Sequence, residues 1–285
     1  MVFLGLGLAG FLAYEQYKNA TNPPAEVAEN STSADGAASA PAPGAPLTEA
    51  EQAERARHQT RVTIRTPEML ATFTDRNAGL LSLRLLEPRF QNTVTRNGAT
   101  TTVPENLVST QYEEFLPLRQ TVGGVTMPRD ATYRAEQVDA RTVRFSWQGD
   151  GFRVVRTVRA GSARYTLESE TIVQNDSRAA RPVRVTEHTY RYVPRSAEGG
   201  GMFKRASSKA TQGFCETSEK KMIEARERIE EDTRGIGPHV LYAGWGTNYF
   251  ASAIAPARGD AQRCVVASEP RGGTEEDPLG SVVSV

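Results

Sequence analysis

From Arg61 onward the sequence repeats with a period of two, and this most constrains the fold. The segments RVTIRT, MLATFT, LLSLRLLE, TVRFSWQ, FRVVRTVRA, RYTLESETIVQN and RPVRVTEHTYRYV are short and rich in Val, Thr, Ile and Tyr. Gly, Asn, Asp or Pro separates them. Such alternation buries one face of a strand and wets the other, so it demands antiparallel sheets packed face to face. The expected fold is mainly β, a large antiparallel β-sandwich with one or two peripheral helices. In FRVVRTVRA, Phe152, Val154 and Val158 face one way and Arg153 and Arg159 the other; the phase slips near Val155, which predicts a bulge. In RYTLESETIVQN, Tyr165, Leu167, Ser169 and Thr171 oppose Thr166, Glu168 and Glu170, and Asn175-Asp176-Ser177 reads as a hairpin turn.

Two stretches break the alternation. AEGGGMFKRASSKATQG (197–213) reads as a glycine-rich loop. ETSEKKMIEARERIEEDTRG (216–235) has helical propensity with Met222, Ala225 and Ile229 on one face, so Glu216 to Arg234 is a helix over the sandwich, a polar edge strand or a loop. After it comes LYAGWGTNYFASAIAP (241–256). Gly244 and Gly246 interrupt any membrane-helix signal there, so it reads as strand, turn and strand. Trp245 is expected at the turn, and Tyr249 to Ile254 in a buried strand that Pro256 ends. A last strand pattern, GSVVSV, runs out at Val285 without a terminator, so the domain is expected to lack its final strands.

The first sixty residues differ in kind. MVFLGLGLAGFLAY is uncharged, but as a helix it reaches only about 21 Å against roughly 30 Å of bilayer hydrocarbon. It lacks the basic start and cleavage site of a signal peptide, and Tyr14, Tyr17 and Lys18 suit a membrane boundary. Residues 1–18 therefore read as a short or truncated membrane anchor. Residues 19–47, rich in Pro, Ala and Ser without aromatics, read as a disordered tether, and 48–285 as the folded β-sandwich domain. Thr48 and Glu51 form a capping box opening a short helix.

Lys plus Arg and Asp plus Glu both total 34, so no basic excess marks a nucleic-acid binder. No nucleophile elbow, phosphate loop or zinc-protease motif is present. Cys215 and Cys264 lack the spacing of a zinc site. They stay free thiols in a cytosolic protein, whereas in an exported one they can pair. No catalytic, cofactor or metal residue is expected. His58 reads as solvated and His239 as a turn residue. Glu187 and His188, adjacent on one strand, point to opposite faces and form no direct acid/base pair. A ligand or partner cleft would draw on Trp245, Tyr190, Tyr192 and His188.

The order of these features resembles the first part of the YidC membrane-protein insertase family. The likeness rests on FLAYEQY ending an apolar helix, the low-complexity tether and VTIRTPEMLATFTDRNAGLLSLRLLEPRF. It extends through RTVRAGSARYTLESETIVQNDSRAARPVRV to GWGTNYFASAIAP, the most specific of the matches. It implies a mutarotase-like supersandwich in the periplasm of a bacterium, anchored in the inner membrane. It also implies a role in inserting and folding membrane proteins beside the Sec translocon and its SecDF subunits, with nascent membrane proteins as clients. In that family insertion belongs to a later membrane region with a hydrophilic groove and an arginine, and this chain stops before it. The competing expectation is a membrane-anchored sandwich that binds or isomerises a carbohydrate.

Overall fold

The computed structural model describes residues 58–96, 99–110, 112–128, 130–194, 211–225, 233–273 and 278–285. The anchor, the tether and the capping-box helix, as well as most of the glycine-rich loop, fall outside them.

Strands β1 (Arg61–Arg65), β2 (Met69–Thr74) and β3 (Leu80–Leu85) form an antiparallel meander. Val62 and Ile64 of β1 are buried while Arg61, Thr63 and Arg65 are exposed, as the alternation requires. After the 3-10 turn Pro88–Phe90, β4 (Gln91–Arg96) and β5 (Ala99–Pro104) form a separate two-stranded ribbon. Beyond a second 3-10 turn, Glu113–Phe115, comes β6 (Gln120–Gly123). Next, β7 (Arg134–Asp139), β8 (Thr142–Gly149), β9 (Phe152–Ala160) and β10 (Leu167–Asn175) pair as successive neighbours in one sheet. β11 (Arg184–Glu187) returns to pair with β6. These elements enclose the first core, which includes Ile64, Phe73, Tyr133, Val143, Phe145, Val154 and Val158.

The second half stacks two four-stranded sheets. One contains β12 (Tyr190–Pro194); the other begins with β13 (Gln212–Thr217) and β14 (Lys221–Ala225). β15 (Arg234–Ile236), β16 (Val240–Gly246), β17 (Ala251–Ile254), β18 (Cys264–Gly273) and β19 (Pro278–Ser284) complete them. Their orders are β12-β19-β18-β15 and β14-β13-β16-β17. Between them lie Val193, Cys215, Val240, Cys264, Val266 and Val283. The architecture is thus a mainly β, multi-sheet antiparallel sandwich, as the alternation predicts.

Several local expectations need correction. β9 has no bulge: its register runs unbroken against both β8 and β10. The apparent slip arises because Arg156, between Val154 and Val158, is itself on the inner face, and its guanidinium is only 1% exposed. Of the three readings of the charged segment after Cys215, Lys221–Ala225 takes that of a polar edge strand and not of a helix: β14 pairs with β13, and Met222 packs on the core while Ile223 turns outward. Pairing with an existing sheet outweighs intrinsic helix propensity there; residues 226–232 lie outside the described set. RPVRVTEHTYRYV is two strands in different sheets, parted at His188 and Thr189. Asn175-Asp176-Ser177 is a turn in which the Asn175 carboxamide oxygen accepts from the Ser177 amide at 2.9 Å, but it leads out of the sheet rather than into a hairpin. Tyr165 lies before β10, in the left-handed region at φ 60°. Trp245 lies within β16 rather than at the turn and is fully buried, whereas Tyr249 is 73% exposed and β17 is a half-exposed edge.

Cys215 of β13 and Cys264 of β18 are joined across the second core by a disulfide, with Cα atoms 6.1 Å apart. It closes a loop with a sequence separation of 49, which on the chain-entropy model is worth about 4 kcal/mol. A Cys215→Ala/Cys264→Ala variant should lose about that much unfolding free energy relative to the oxidised wild type in urea titrations. Equal midpoints for variant and oxidised wild type would show the pair to be open.

Candidate functional site

On the inner face of β9, between Val154 and Val158 of the first core, the sequence places a charge in the least hospitable environment. Arg156 enters from the middle of β9 and is held on all sides. Its Nε donates to Ser169 Oγ at 3.0 Å, one terminal nitrogen donates to the carbonyls of Ala78 (3.2 Å) and Leu118, and the other bonds Glu187 at 2.5 Å. Ala78 and Leu118 both have left-handed backbones, at φ 48° and 60°. Each such residue costs about 1–2 kcal/mol, and both carbonyls end on the guanidinium. Glu187, at the end of β11, has its second oxygen on Gln120 Nε2 at 2.5 Å, and Gln120 in turn accepts from Thr171 Oγ1 at 2.8 Å. Burial pushes the Glu187 carboxyl above its usual range, against the opposing pull of Arg156 and Gln120.

Beside this network the chain crosses between sheets, and side-chain parity decides what meets what. His188 stacks parallel on Tyr190, with ring centroids 5.8 Å apart, and its Nε2 is 3.1 Å from Thr121 Oγ1. Tyr190 packs edge-on against Phe115 at 5.3 Å, and Tyr192 against Tyr112 at 6.5 Å. His188, Tyr190 and Tyr192 therefore form one aromatic cluster with Tyr112 and Phe115, in which Phe115 and Tyr190 are buried against Val282 and the other three are half-buried. Trp245 lies behind the other side of β12: its indole donates to Thr189 Oγ1 at 3.1 Å, and the Arg191 guanidinium covers its ring at 4.9 Å. The structure thus groups three of the four cleft residues and separates the fourth. His58 is exposed in a turn, and His239 Nδ1 contacts Asp260 at 2.5 Å. Sequence reasoning missed Arg156, Glu187 and Gln120 as a unit. Their one signal was the broken phase of β9, an arginine where alternation calls for a core residue.

This arrangement leaves little acid/base capacity. Both Glu187 oxygens are engaged, by Arg156 and Gln120, and His188 Nε2 is engaged by Thr121. Among the described residues no cluster of His, Cys, Asp or Glu is arranged to hold a metal ion.

A family model described as the YidC periplasmic domain matches residues 61–281. The chain belongs to the YidC periplasmic-domain family. No curated protein sequence matches it. Among solved structures it is similar to a galactose mutarotase-like protein from Lactobacillus casei, at TM-score 0.50 and 9% identity over 79% of this chain and 87% of that one. A galactose mutarotase related enzyme from Lactobacillus acidophilus aligns at TM-score 0.45 and 9% identity, over 79% and 84% of the two chains. The first likeness shows the mutarotase-like fold of this YidC-family domain and nothing of its chemistry.

Burial, followed by the positive charge of Arg119, holds the His188 imidazole below its usual 6.5. The folded state then binds this proton less well than the unfolded chain. The His188 contribution is complete above 6.5 and is lost as pH falls from there through the lowered folded value. Urea unfolding between about pH 7.5 and about pH 5 should show His188→Gln gaining on the wild type as pH falls. Parallel stability curves would contradict this.

Proposed function

We propose that the chain is the periplasmic part of a YidC-type membrane protein insertase and that it works as a binding module. Residues 1–18 anchor it in the bacterial inner membrane, 19–47 tether it, and 48–285 form the folded domain. Its partners are the Sec translocon with its SecDF subunits and nascent membrane proteins. The family match over residues 61–281 carries this reading. The engagement of Glu187 and His188 within the protein supports a role in contact rather than turnover. The half-buried Tyr112, His188 and Tyr192, which lie over the buried Phe115–Tyr190 pair, are the surface proposed for contact. Tyrosine supplies large contact area at low entropic cost, and Trp245 supports that face from behind β12.

Among the described residues no helix is long and apolar enough to cross a membrane, so the anchor itself is part of the proposal. The alternative, a sandwich that binds or isomerises a carbohydrate, draws on the mutarotase-like fold alone.

A photo-crosslinking residue at Tyr192 in the full chain, expressed in a bacterium with its own Sec machinery, should give adducts with SecDF or with nascent membrane proteins. The same residue at Arg153, on the far face of β9, should not. Equal labelling from both positions would overturn the assignment of this face. Galactose mutarotation catalysed by the purified chain and lost in His188→Ala would overturn the binding-module reading itself.

A further inference from the structure

The sheet β14-β13-β16-β17 has two unlike edges. β14 carries Lys221 and Glu224, whereas β17 is Ala-Ser-Ala-Ile and pairs, among the described residues, with β16 alone. The other edge strands of the four-stranded sheets all bear charge: Glu168 and Glu170 on β10, Arg134 and Glu136 on β7, Arg191 on β12, and Arg234 on β15. Charges on edge strands keep foreign strands from adding to a sheet. From Leu241 to Ala257 there is no Asp, Glu, Lys or Arg, so β17 and its flanks lack that protection.

The strand register shows what a newcomer would meet. Ile223 pairs with Phe214, Phe214 with Gly244, and Gly244 with Ala253, so one apolar row crosses the outer face and ends at the exposed edge. Ile223 is 50% exposed, and Tyr249, just before β17, is 73% exposed. A further strand beside β17 would continue this row opposite Ala253. A charged side chain there would border an apolar row without a counter-ion in residues 241–257.

We infer that β17 is an acceptor for an uncharged, extended polypeptide strand of another protein, with alternating apolar side chains, which adds to the sheet by backbone hydrogen bonding. A second copy of this chain fits less well. Antiparallel self-pairing centred on Ala253 would set Ala251 against Ala255 and continue the apolar row with alanines alone, whereas a foreign strand can bring larger apolar side chains. The site is separate from the Tyr190 face and does not depend on which partner docks there.

The probe is a capped, dye-labelled peptide of alternating Val and Thr, compared with one in which every second residue is Pro and one in which the Thr are Lys. With the oxidised full chain, fluorescence anisotropy should report binding of the first peptide only. Hydrogen exchange should show new amide protection within Ala251–Ile254. Ala253→Lys, an exposed change that leaves the core intact, should weaken binding about tenfold or more by guarding the edge, while Gln174→Lys on β10 should leave it unchanged. Binding that survives Ala253→Lys, or protection that appears on β5 or β10 instead, would overturn the proposal. So would a concentration-dependent dimer of the peptide-free chain that Ala253→Lys abolishes, since the occupant would then be a second copy.

Discussion

The buried guanidinium of Arg156 is the interaction on which the first half of the molecule depends. Removing a charge from water costs several kcal/mol, and only dense, charge-assisted bonding offsets that cost. The acceptors come from separate parts of the chain: the β2-β3 turn at Ala78, the approach to β6 at Leu118, β10 at Ser169 and β11 at Glu187. Each is distant in sequence, so the network fixes how β6 and β11 sit against the sheet of β7 to β10. The left-handed Ala78 belongs to the Asn77-Ala78 hairpin turn, closed by the Gly79 amide on the Arg76 carbonyl, and it and the left-handed Leu118 each present a carbonyl to this cation. The same bonding occupies the carboxylate nearest His188. The residues that resemble an acid/base pair in the sequence are therefore part of the scaffold.

The second half depends on covalent and aromatic fixtures instead. The Cys215–Cys264 bond ties two facing sheets through their shared core, and Trp245 fills the space behind β12, where Thr189 and Arg191 reach it. The short crossing at His188 and Thr189 links the halves: even-numbered residues supply the aromatic face and odd-numbered ones the contacts to Trp245. The aromatic cluster and the contacts to Trp245 thus come from opposite sides of one strand.

The period-two pattern made the sandwich legible, because burial of alternate residues is a local property. It made β1 and β8 legible as strands, whereas in β9 it took the inward Arg156 for a bulge. Arg156 escaped because alternation treats every arginine as outward-facing, and only the three-dimensional gathering of its acceptors makes an inward one affordable. For β14 the sequence left helix, edge strand and loop open, because Lys221–Ala225 is strand only through pairing with β13, a contact that local propensity does not encode. Trp245 and Tyr249 were read in reverse, since turn position was inferred from Gly244 and Gly246. In the fold those glycines lie within β16, where the Phe214 ring lies against Gly244. Among the proposed cleft residues, parity along 188–192 was readable, but the distance from these residues to position 245 was not.

A double-mutant cycle on Arg156→Met and Glu187→Gln, followed by urea unfolding, tests the central claim that this pair is a structural hub. The account predicts that each single change destabilises the domain and that the double variant loses much less than their sum, with a coupling of about 2 kcal/mol or more. Additivity within about 0.5 kcal/mol would contradict it.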